Sequence, residues 1–200
     1  MGDTVTLHSR FNRILAVVLW ALSGLMIFIA LVGDAHLVAL YPGAALLALF
    51  AWAGLWRPAV RVGADGVEVR NVTHRVAIPW TALIHVDTRY ALTLHTPSGK
   101  FAAWSAPAPG MIGSMRASRN PANREARAAD ASLRAGDLLG TESGNAATVV
   151  REQWRRGLDS GHVQTGIADA VPVHRQWDVP VLAAMAALAA ATVWALIAIS

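Results

Sequence analysis

Hydrophobic residues form three long uninterrupted blocks, and between the second and third block the pattern changes to strict alternation. The blocks cover 14–32, 37–56 and 181–199, which are 19, 20 and 19 residues without a charged side chain. About 20 apolar residues in an α-helix cross the ~30 Å hydrocarbon core of a bilayer. Continuous apolarity is typical of such a helix, whereas a barrel strand alternates. The sequence therefore predicts three transmembrane helices, the third lying within 180–200.

The short interval between the first two blocks predicts a tight antiparallel helical hairpin over 14–56. Only residues 33–36 separate them, and Pro42 falls in the first turn of the second helix, where its missing N–H costs little. Two other interpretations fit less well. A buried core helix of a soluble protein needs a polar face, and the first block exceeds the 7–15 residues of a signal-peptide core. Residues 1–13 would form the N-terminal segment.

Basic residues near the block ends predict the orientation. The 33–36 interval contains Asp34 and no Lys or Arg. The positive-inside rule then places the N-terminus and 57–179 in the cytoplasm and the C-terminus outside it, as in a multi-pass protein of the cell membrane. The basic residues that carry this prediction are Arg10, Arg13, Arg57, Arg61 and Arg175.

From Pro58 to Ser105 apolar and polar residues alternate in short runs, which predicts about six strands. Turns are expected at Ala64-Asp65-Gly66 and at Pro97-Ser98-Gly99-Lys100, and Pro79 suggests a strand end or edge. Such strands indicate a small antiparallel sandwich or barrel. The apolar face of the strands is predicted to contain Val60, Val62, Val67, Val69, Val76, Ile78, Trp80, Ile84, Val86, Leu92 and Leu94.

Beyond these strands the sequence predicts a mobile, mildly basic loop over 106–145, because Pro, Gly, Ser, Ala and Arg follow one another with little periodicity. A helix is predicted over 146–158, with Asn145 as N-cap and one apolar face. This helix would close the β-structure and complete a domain over 57–160, followed by a linker over 161–179. The predicted apolar face consists of Ala147, Val150, Trp154 and Leu158.

The strand segment also carries a recognisable motif. From Arg57 to Trp80 it reads RPAVRVGADGVEVRNVTHRVAIPW, followed by Leu83 and Ile84. It resembles the bacterial pleckstrin-homology (PH) domains of small actinobacterial membrane proteins, the family of low molecular weight protein antigen 6. The resemblance covers roughly 10–105 and implies a PH-like barrel of bent antiparallel sheet closed by a C-terminal helix. The fold class expected is thus an α+β membrane protein with a transmembrane hairpin, a PH-like domain and a third membrane helix.

PH-like folds bind lipids, peptides or proteins, so the fold does not fix a ligand. In inositol-lipid-binding relatives the first hairpin loop is extended and basic, whereas here 63–66 is short and acidic, which disfavours that ligand. Arg57, Arg61, Arg70 and Arg75 are instead candidate membrane-surface contacts, since a Lys or Arg near anionic headgroups contributes ~1 kcal/mol. The alternative is that they are solvated strand residues that also signal topology.

The composition and motifs limit which catalytic, metal and cofactor sites the chain can form. The chain is 54% apolar and 15% charged and has no cysteine, which excludes disulfides, thiolate metal sites and a cysteine nucleophile. His74, His85 and His95 lack the spacing of a metal site and are interpreted as exposed strand or turn residues. No nucleotide-binding fingerprint occurs, and the arginines of 106–145 are interpreted as a solvated linker rather than a nucleic-acid surface. No catalytic residue, cofactor or metal is predicted.

The third block contains small residues at every fourth position, a spacing that permits close helix approach. They are predicted to pack on the first two membrane helices, with a homo-oligomer or partner contact as the alternative. The leading hypothesis is a non-catalytic scaffold whose PH-like module binds a protein or the membrane surface. An accessory subunit of a transporter or secretion complex is the second, and an enzyme using His85, Asp87 and His95 the third. The small residues are Ala183, Ala187, Ala191 and Ala195.

Overall fold

The computed structural model of the chain describes residues 4–33, 37, 40–130, 133–164 and 166–199. Positions 34–36, which belong to the predicted extracytoplasmic loop, and Ser200 lie outside this part of the chain. In chain order the elements are β1 (Val5–Leu7), α1 (Arg10–Val32), α2 (Leu40–Phe50), β2 (Ala59–Val62), β3 (Gly66–Arg70), β4 (His74–Pro79), β5 (His85–Asp87), β6 (Ala91–Thr96), β7 (Gly99–Pro107), α3 (Met111–Ser118), α4 (Pro121–Ala129), α5 (Glu142–Asp159), β8 (His174–Trp177) and α6 (Val179–Ile199). The chain divides into two compact units, described in turn.

The helical unit, Arg10–Arg57 with the chain from Trp177 onward, contains α1, α2 and α6. Helix α2 continues into a wider π-helical segment, Ala51–Trp56. The hydroxyl of Ser23 donates to the Ala44 carbonyl (2.8 Å), and the Trp20 indole donates to the Ala48 carbonyl (3.1 Å). These pairs run in opposite directions along α1 and α2, so the two helices are antiparallel neighbours.

Two helices of this unit are long and apolar enough to cross a membrane by length and composition, namely Arg10–Val32 and Val179–Ala198. The second predicted span is shorter than expected, because its continuous helix is Leu40–Trp56, of 17 residues. That length is at the lower end of the ~17–25 residues that span a bilayer. The apolar side chains of α1 remain largely uncovered in the fold, with Ile14, Leu31 and Val32 each more than 60% exposed.

The domain unit, whose chain runs up to Ser9 and resumes over Pro58–Gln176, is built on two antiparallel sheets. The first has the strand order β1-β2-β3-β4-β8. Alternation accounts for its two faces, because Val60 pairs with Val69 and Val67 pairs with Ile78, and all of these side chains are buried. The intervening residues form the outer face. The six predicted strands correspond to β2–β7, while β1 and β8 were not predicted.

The second sheet has the order β5-β6-β7, and the two sheets do not form a closed barrel in the described part of the chain. The ladder breaks at Pro79, which ends β4 as predicted and has no N–H to donate. A 3₁₀ turn, Trp80–Ala82, then leads toward β5. The expected barrel is therefore corrected to two sheets that share one core.

Helix α5 completes that core, as the sequence predicts. Ala147 and Val150 are fully buried between the sheets, and Trp154 and Leu158 pack on the same cluster. The helix begins earlier than predicted, because Thr141 is its N-cap and its Oγ1 accepts from the Gly144 N–H at 3.0 Å. Asn145 lies inside the helix, where its Oδ1 accepts from the Gly140 N–H.

The segment predicted as a loop over 106–145 contains two short helices, α3 and α4. They are held by a buried amide, because the Asn123 side chain donates to the Ala117 carbonyl (2.8 Å) and the Leu139 carbonyl (2.9 Å) and accepts from the Leu139 N–H (3.0 Å). Asn120 caps α4 and Pro121 occupies its first turn. Local polar contacts rather than an apolar stripe specify these helices, so hydrophobic periodicity did not reveal them.

Candidate functional site

The outer face of the five-stranded sheet gathers three of the four predicted arginines. Arg61 pairs in register with Glu68, which in turn pairs with Ala77 on β4. One row along, Arg70 pairs directly with Arg75. Because side chains on directly paired positions stand on the same side of a sheet, Arg61, Arg70 and Arg75 share this face, opposite the buried valines. We call it the outer sheet face.

Arg57, the fourth predicted arginine, has a different environment. It belongs to the helical unit, its side chain is 5% exposed, and it forms an ion pair with Asp178. Its guanidinium also lies 5.3 Å from the centre of the Trp52 ring. The predicted headgroup contact requires a side chain that reaches the surface, and Arg57 is committed to a buried pair instead.

An open groove of about 690 Å³ runs along the outer sheet face at the β2–β3 turn. Its charged groups are Arg61, Asp65 and Glu68, with His174 of β8 at the rim. Arg61 and Glu68 are 3.9 Å apart, and both are substantially exposed. A pair of this kind contributes less than about 1 kcal/mol, so it can open at little cost to receive a charged group from a ligand.

The groove's turn is held by Trp80. The indole N–H lies 2.9 Å from the Ala64 carbonyl and 3.2 Å from the Gly63 carbonyl, and the Trp80 backbone N–H donates to the Asp65 carbonyl. Gly66 is required at the end of the turn, because a Cβ there would lie 2.3 Å from the Ile78 carbonyl oxygen. The two halves of the motif recognised in the sequence thus meet in space as one structural clamp.

Asn71 links the two sheets at the opposite end of β3. Its Nδ2 donates to the Ala102 carbonyl (2.9 Å), and its Oδ1 accepts from the Trp104 N–H (2.9 Å). The side-chain amide therefore bonds to β7 as a strand backbone would. A shallow cavity of about 280 Å³ lies beside it, lined in part by Trp104 and His74.

The histidines do not assemble a metal site. His85 and His95 are directly paired across β5 and β6, with ring centres 5.6 Å apart. Within the described residues there is no group of three or more His, Cys, Asp or Glu that could hold a metal ion. His74 lies apart from them, where burial and then the charge of Arg175 lower its pKa.

Asp87, the acid of the enzyme hypothesis, serves the fold. Burial by itself would raise its pKa, but backbone N–H groups of Thr88 (2.8 Å) and Arg89 (3.1 Å) donate to its Oδ1 and, with the charge of Arg134, hold the pKa below its ordinary value. Arg134 lies 2.7 Å from the same oxygen. The carboxylate is thus ionised and occupied as a turn cap and ion-pair partner, which is the opposite of what a general base near neutrality requires.

Comparison with protein families gives a match over part of the chain. Residues 57–138 match the family model described as "Bacterial PH domain", which confirms the resemblance to a bacterial PH domain. Neither the curated proteins nor the solved structures that were compared gave a match. The matched segment includes β2–β7 and the outer sheet face and ends just before α5.

Proposed function

We propose that this chain, whose residues 57–138 match the bacterial PH domain family, is a non-catalytic scaffold of the cell membrane that binds an acidic partner on its outer sheet face. The observation that carries the proposal is the fixed placement of Arg61, Arg70 and Arg75 on one face of the sheet, where Arg61 also lines a groove of about 690 Å³. PH domains are binding modules, and a rigid sheet holds charged groups with more precision than a loop.

Membrane anchoring is part of the proposal. It is supported by the long apolar helices Arg10–Val32 and Val179–Ala198, whose side chains are mostly uncovered in the fold. A soluble core helix would bury such a surface. The basic residues at the block ends support an orientation with the N-terminus and the PH domain in the cytoplasm and the C-terminus outside it. The domain bounds we propose are 14–56 for the hairpin, 57–160 for the PH-like domain and 180–200 for the third membrane helix.

Charge favours an acidic ligand for the outer sheet face. Arg70 and Arg75 are directly paired on neighbouring strands, and like charges in this arrangement repel each other. A carboxylate or phosphate beside the two guanidinium groups would form a charge-assisted hydrogen bond with them. The nearby Glu68 and Asp65 favour a partner with mixed charges, such as a protein segment, over a uniformly anionic surface. A protein partner is therefore the preferred ligand, with lipid headgroups as the competing one.

The test uses the full chain in its native membrane. A photo-crosslinking amino acid replaces Ala77, which is exposed on the outer sheet face, and a matched control carries it at Ser98 in the β6–β7 turn. We expect a discrete crosslinked protein from position 77 that is absent from position 98 and lost when Arg75→Gln is added. Crosslinks to lipid alone would show that headgroups are the ligand, and no crosslink from position 77 would overturn the proposal.

An accessory subunit of a larger membrane complex is the second candidate, and one feature of α6 supports it. The small-residue stripe was predicted to pack on the first two helices, yet Ala183 and Ala187 are exposed. Helix α6 is covered at Val181 and at Ala195, the last residue of the stripe. A larger partner in the membrane would cover the exposed half of the stripe at Ala183 and Ala187. Loss of a copurifying polytopic protein in Ala187→Leu, with crosslinking from position 77 unchanged, would favour this candidate.

A further inference from the structure

The most exposed large apolar side chains of the domain unit are concentrated at one place. Ile112 is 84% and Tyr90 83% exposed, and Met111 and Met115 lie beside Ile112 on α3. Backbone contacts bring the two segments together, because the Ala108 N–H donates to the Tyr90 carbonyl at 2.9 Å. We call Tyr90, Met111, Ile112 and Met115 the α3 patch. It belongs to neither the core nor the outer sheet face.

The patch is a fixed feature of the fold. Ala117, on the other side of α3, is buried, and its carbonyl accepts from the buried Asn123 amide. The Ser118 hydroxyl donates to the Ser114 carbonyl within the helix. Helix α3 is therefore held through one face while its apolar residues project to the other. Apolar side chains presented in this way mark an interaction surface.

Charge around the patch identifies the partner. Residues 88–124 contain five basic residues and no Asp or Glu. Arg89 precedes Tyr90, Arg116 lies on α3 and Arg119 directly follows it, and both Arg116 and Arg119 are exposed. A second copy of the chain would bring the same positive charge against this face and be repelled. An anionic bilayer offers both an apolar layer for the patch and phosphates for the arginines.

We propose that the α3 patch docks into the surface of an anionic bilayer. Met111, Ile112 and Met115 would lie in the plane between headgroups and acyl chains, with Tyr90 beside them and Arg89, Arg116 and Arg119 on the phosphates. The proposal rests on the membrane anchoring proposed above, because anchoring makes docking an intramolecular step with a high effective concentration. It assigns the lipid surface to α3, on a different face of the domain from Arg61, Arg70 and Arg75.

The absence of cysteine allows a direct test with the full chain. Ile112→Cys carries an environment-sensitive fluorophore, and Ser98→Cys, also exposed, is the matched control. Each is placed in nanodiscs of phosphatidylcholine alone or of phosphatidylcholine with a quarter phosphatidylglycerol. If interfacial burial occurs, the emission at position 112 should rise about twofold or more in the anionic discs and be quenched by lipids nitroxide-labelled near the headgroup. The label at position 98 should remain exposed to water, with the same emission in both disc compositions.

Three further measurements separate the outcomes. Arg116→Gln with Arg119→Gln should abolish the difference between the two disc compositions at position 112, as should high salt, because both remove headgroup attraction. A chain that fails to enter the discs refutes the anchoring. A chain that enters them while position 112 remains as accessible to aqueous iodide as position 98 refutes the docking alone. Shielding of position 112 that depends on protein concentration rather than on lipid would show a second copy on the patch and overturn the proposal.

Discussion

Arg57 and Asp178 form a buried ion pair between residues 121 positions apart in the chain, within the helical unit. Arg57 follows the second apolar helix and Asp178 precedes α6. The Arg57 Nε and Nη1 atoms are buried without a hydrogen-bond partner among the described residues, while the guanidinium lies against the Trp52 ring. The pair joins the start of α6 to the end of the second helix. It also explains why an arginine predicted to touch lipid headgroups lies inside the fold.

Breaking this pair should destabilise the helical unit more than replacing it. Asp178→Asn leaves a buried guanidinium without its counter-charge, and we expect a loss of about 3 kcal/mol or more in the free energy of unfolding. The double variant Arg57→Met with Asp178→Leu removes both charges and should recover most of that loss. Thermal unfolding of the full chain in detergent, followed by tryptophan fluorescence, measures both.

The exposed pair of Arg156 and Glu152 provides the control for that experiment. Its members are one helical turn apart on the solvent side of α5, so Arg156→Gln should change the free energy of unfolding by less than about 1 kcal/mol. Equal losses in Asp178→Asn and Arg156→Gln would show that the Arg57–Asp178 pair does not fasten the helices.

Gly66 tests the clamp that unites the two halves of the PH motif. In Gly66→Ala the added Cβ would meet the Ile78 carbonyl oxygen at 2.3 Å, so β3 and β4 must move apart. We expect a loss of more than about 2 kcal/mol in the free energy of unfolding, in the range of overpacked core variants. Gly110→Ala is the matched control, because nothing lies within 4 Å of a Cβ there. If Gly66→Ala leaves the free energy of unfolding unchanged, the clamp does not hold β3 and β4 as described.

Acidification should weaken the domain unit through His74. Burial and then Arg175 lower its pKa below the ordinary value of 6.5, so on acidification the unfolded chain takes up the proton before the folded one. The stabilisation is complete above pH 6.5 and is lost as the pH falls through 6.5 toward the folded pKa. The wild-type unfolding midpoint should fall over this range, and His74→Gln should show a flatter profile. Arg175→Gln should flatten it in part, and identical profiles in all three proteins would refute the assignment.

The predicted and observed elements differ for physical reasons that particular residues illustrate. Strands β2–β7 bury alternate valines and leucines, so their hydrophobic period of two was visible in the sequence. Strand β8 has four exposed residues, and β1 is only three residues long, with Leu7 alone packed on the core. Hydrophobic alternation cannot reveal strands that bury one side chain or none.

The candidate site was predictable only in part. Arg61 falls between two buried valines and Arg70 follows Val69, so both could be assigned to the outer face from alternation, and the register of β3 and β4 adds Arg75. Arg57 is buried because it pairs with Asp178, far along the chain. No local sequence pattern predicts such a pair. The α3 patch was hidden for a related reason: Met111 and Ile112 occur in a stretch that reads as a loop, and the Asn123 contacts that order it are not periodic.

The last prediction concerns Asn71. Its variants distinguish a role in holding the two sheets together from a role in ligand binding. Its amide both donates to and accepts from the backbone of β7. Asn71→Ala should lose about 1 kcal/mol for each hydrogen bond. Asn71→Asp keeps the acceptor for the Trp104 N–H but sets a carboxylate oxygen against the Ala102 carbonyl, so it should be at least as damaging. Hydrogen exchange of the Trp104 amide resolves the two variants: it should accelerate sharply in Asn71→Ala and less in Asn71→Asp. If neither variant changes that exchange, the sheets are held together by the shared apolar core alone, and the position of Asn71 in the PH motif would have to reflect ligand binding instead.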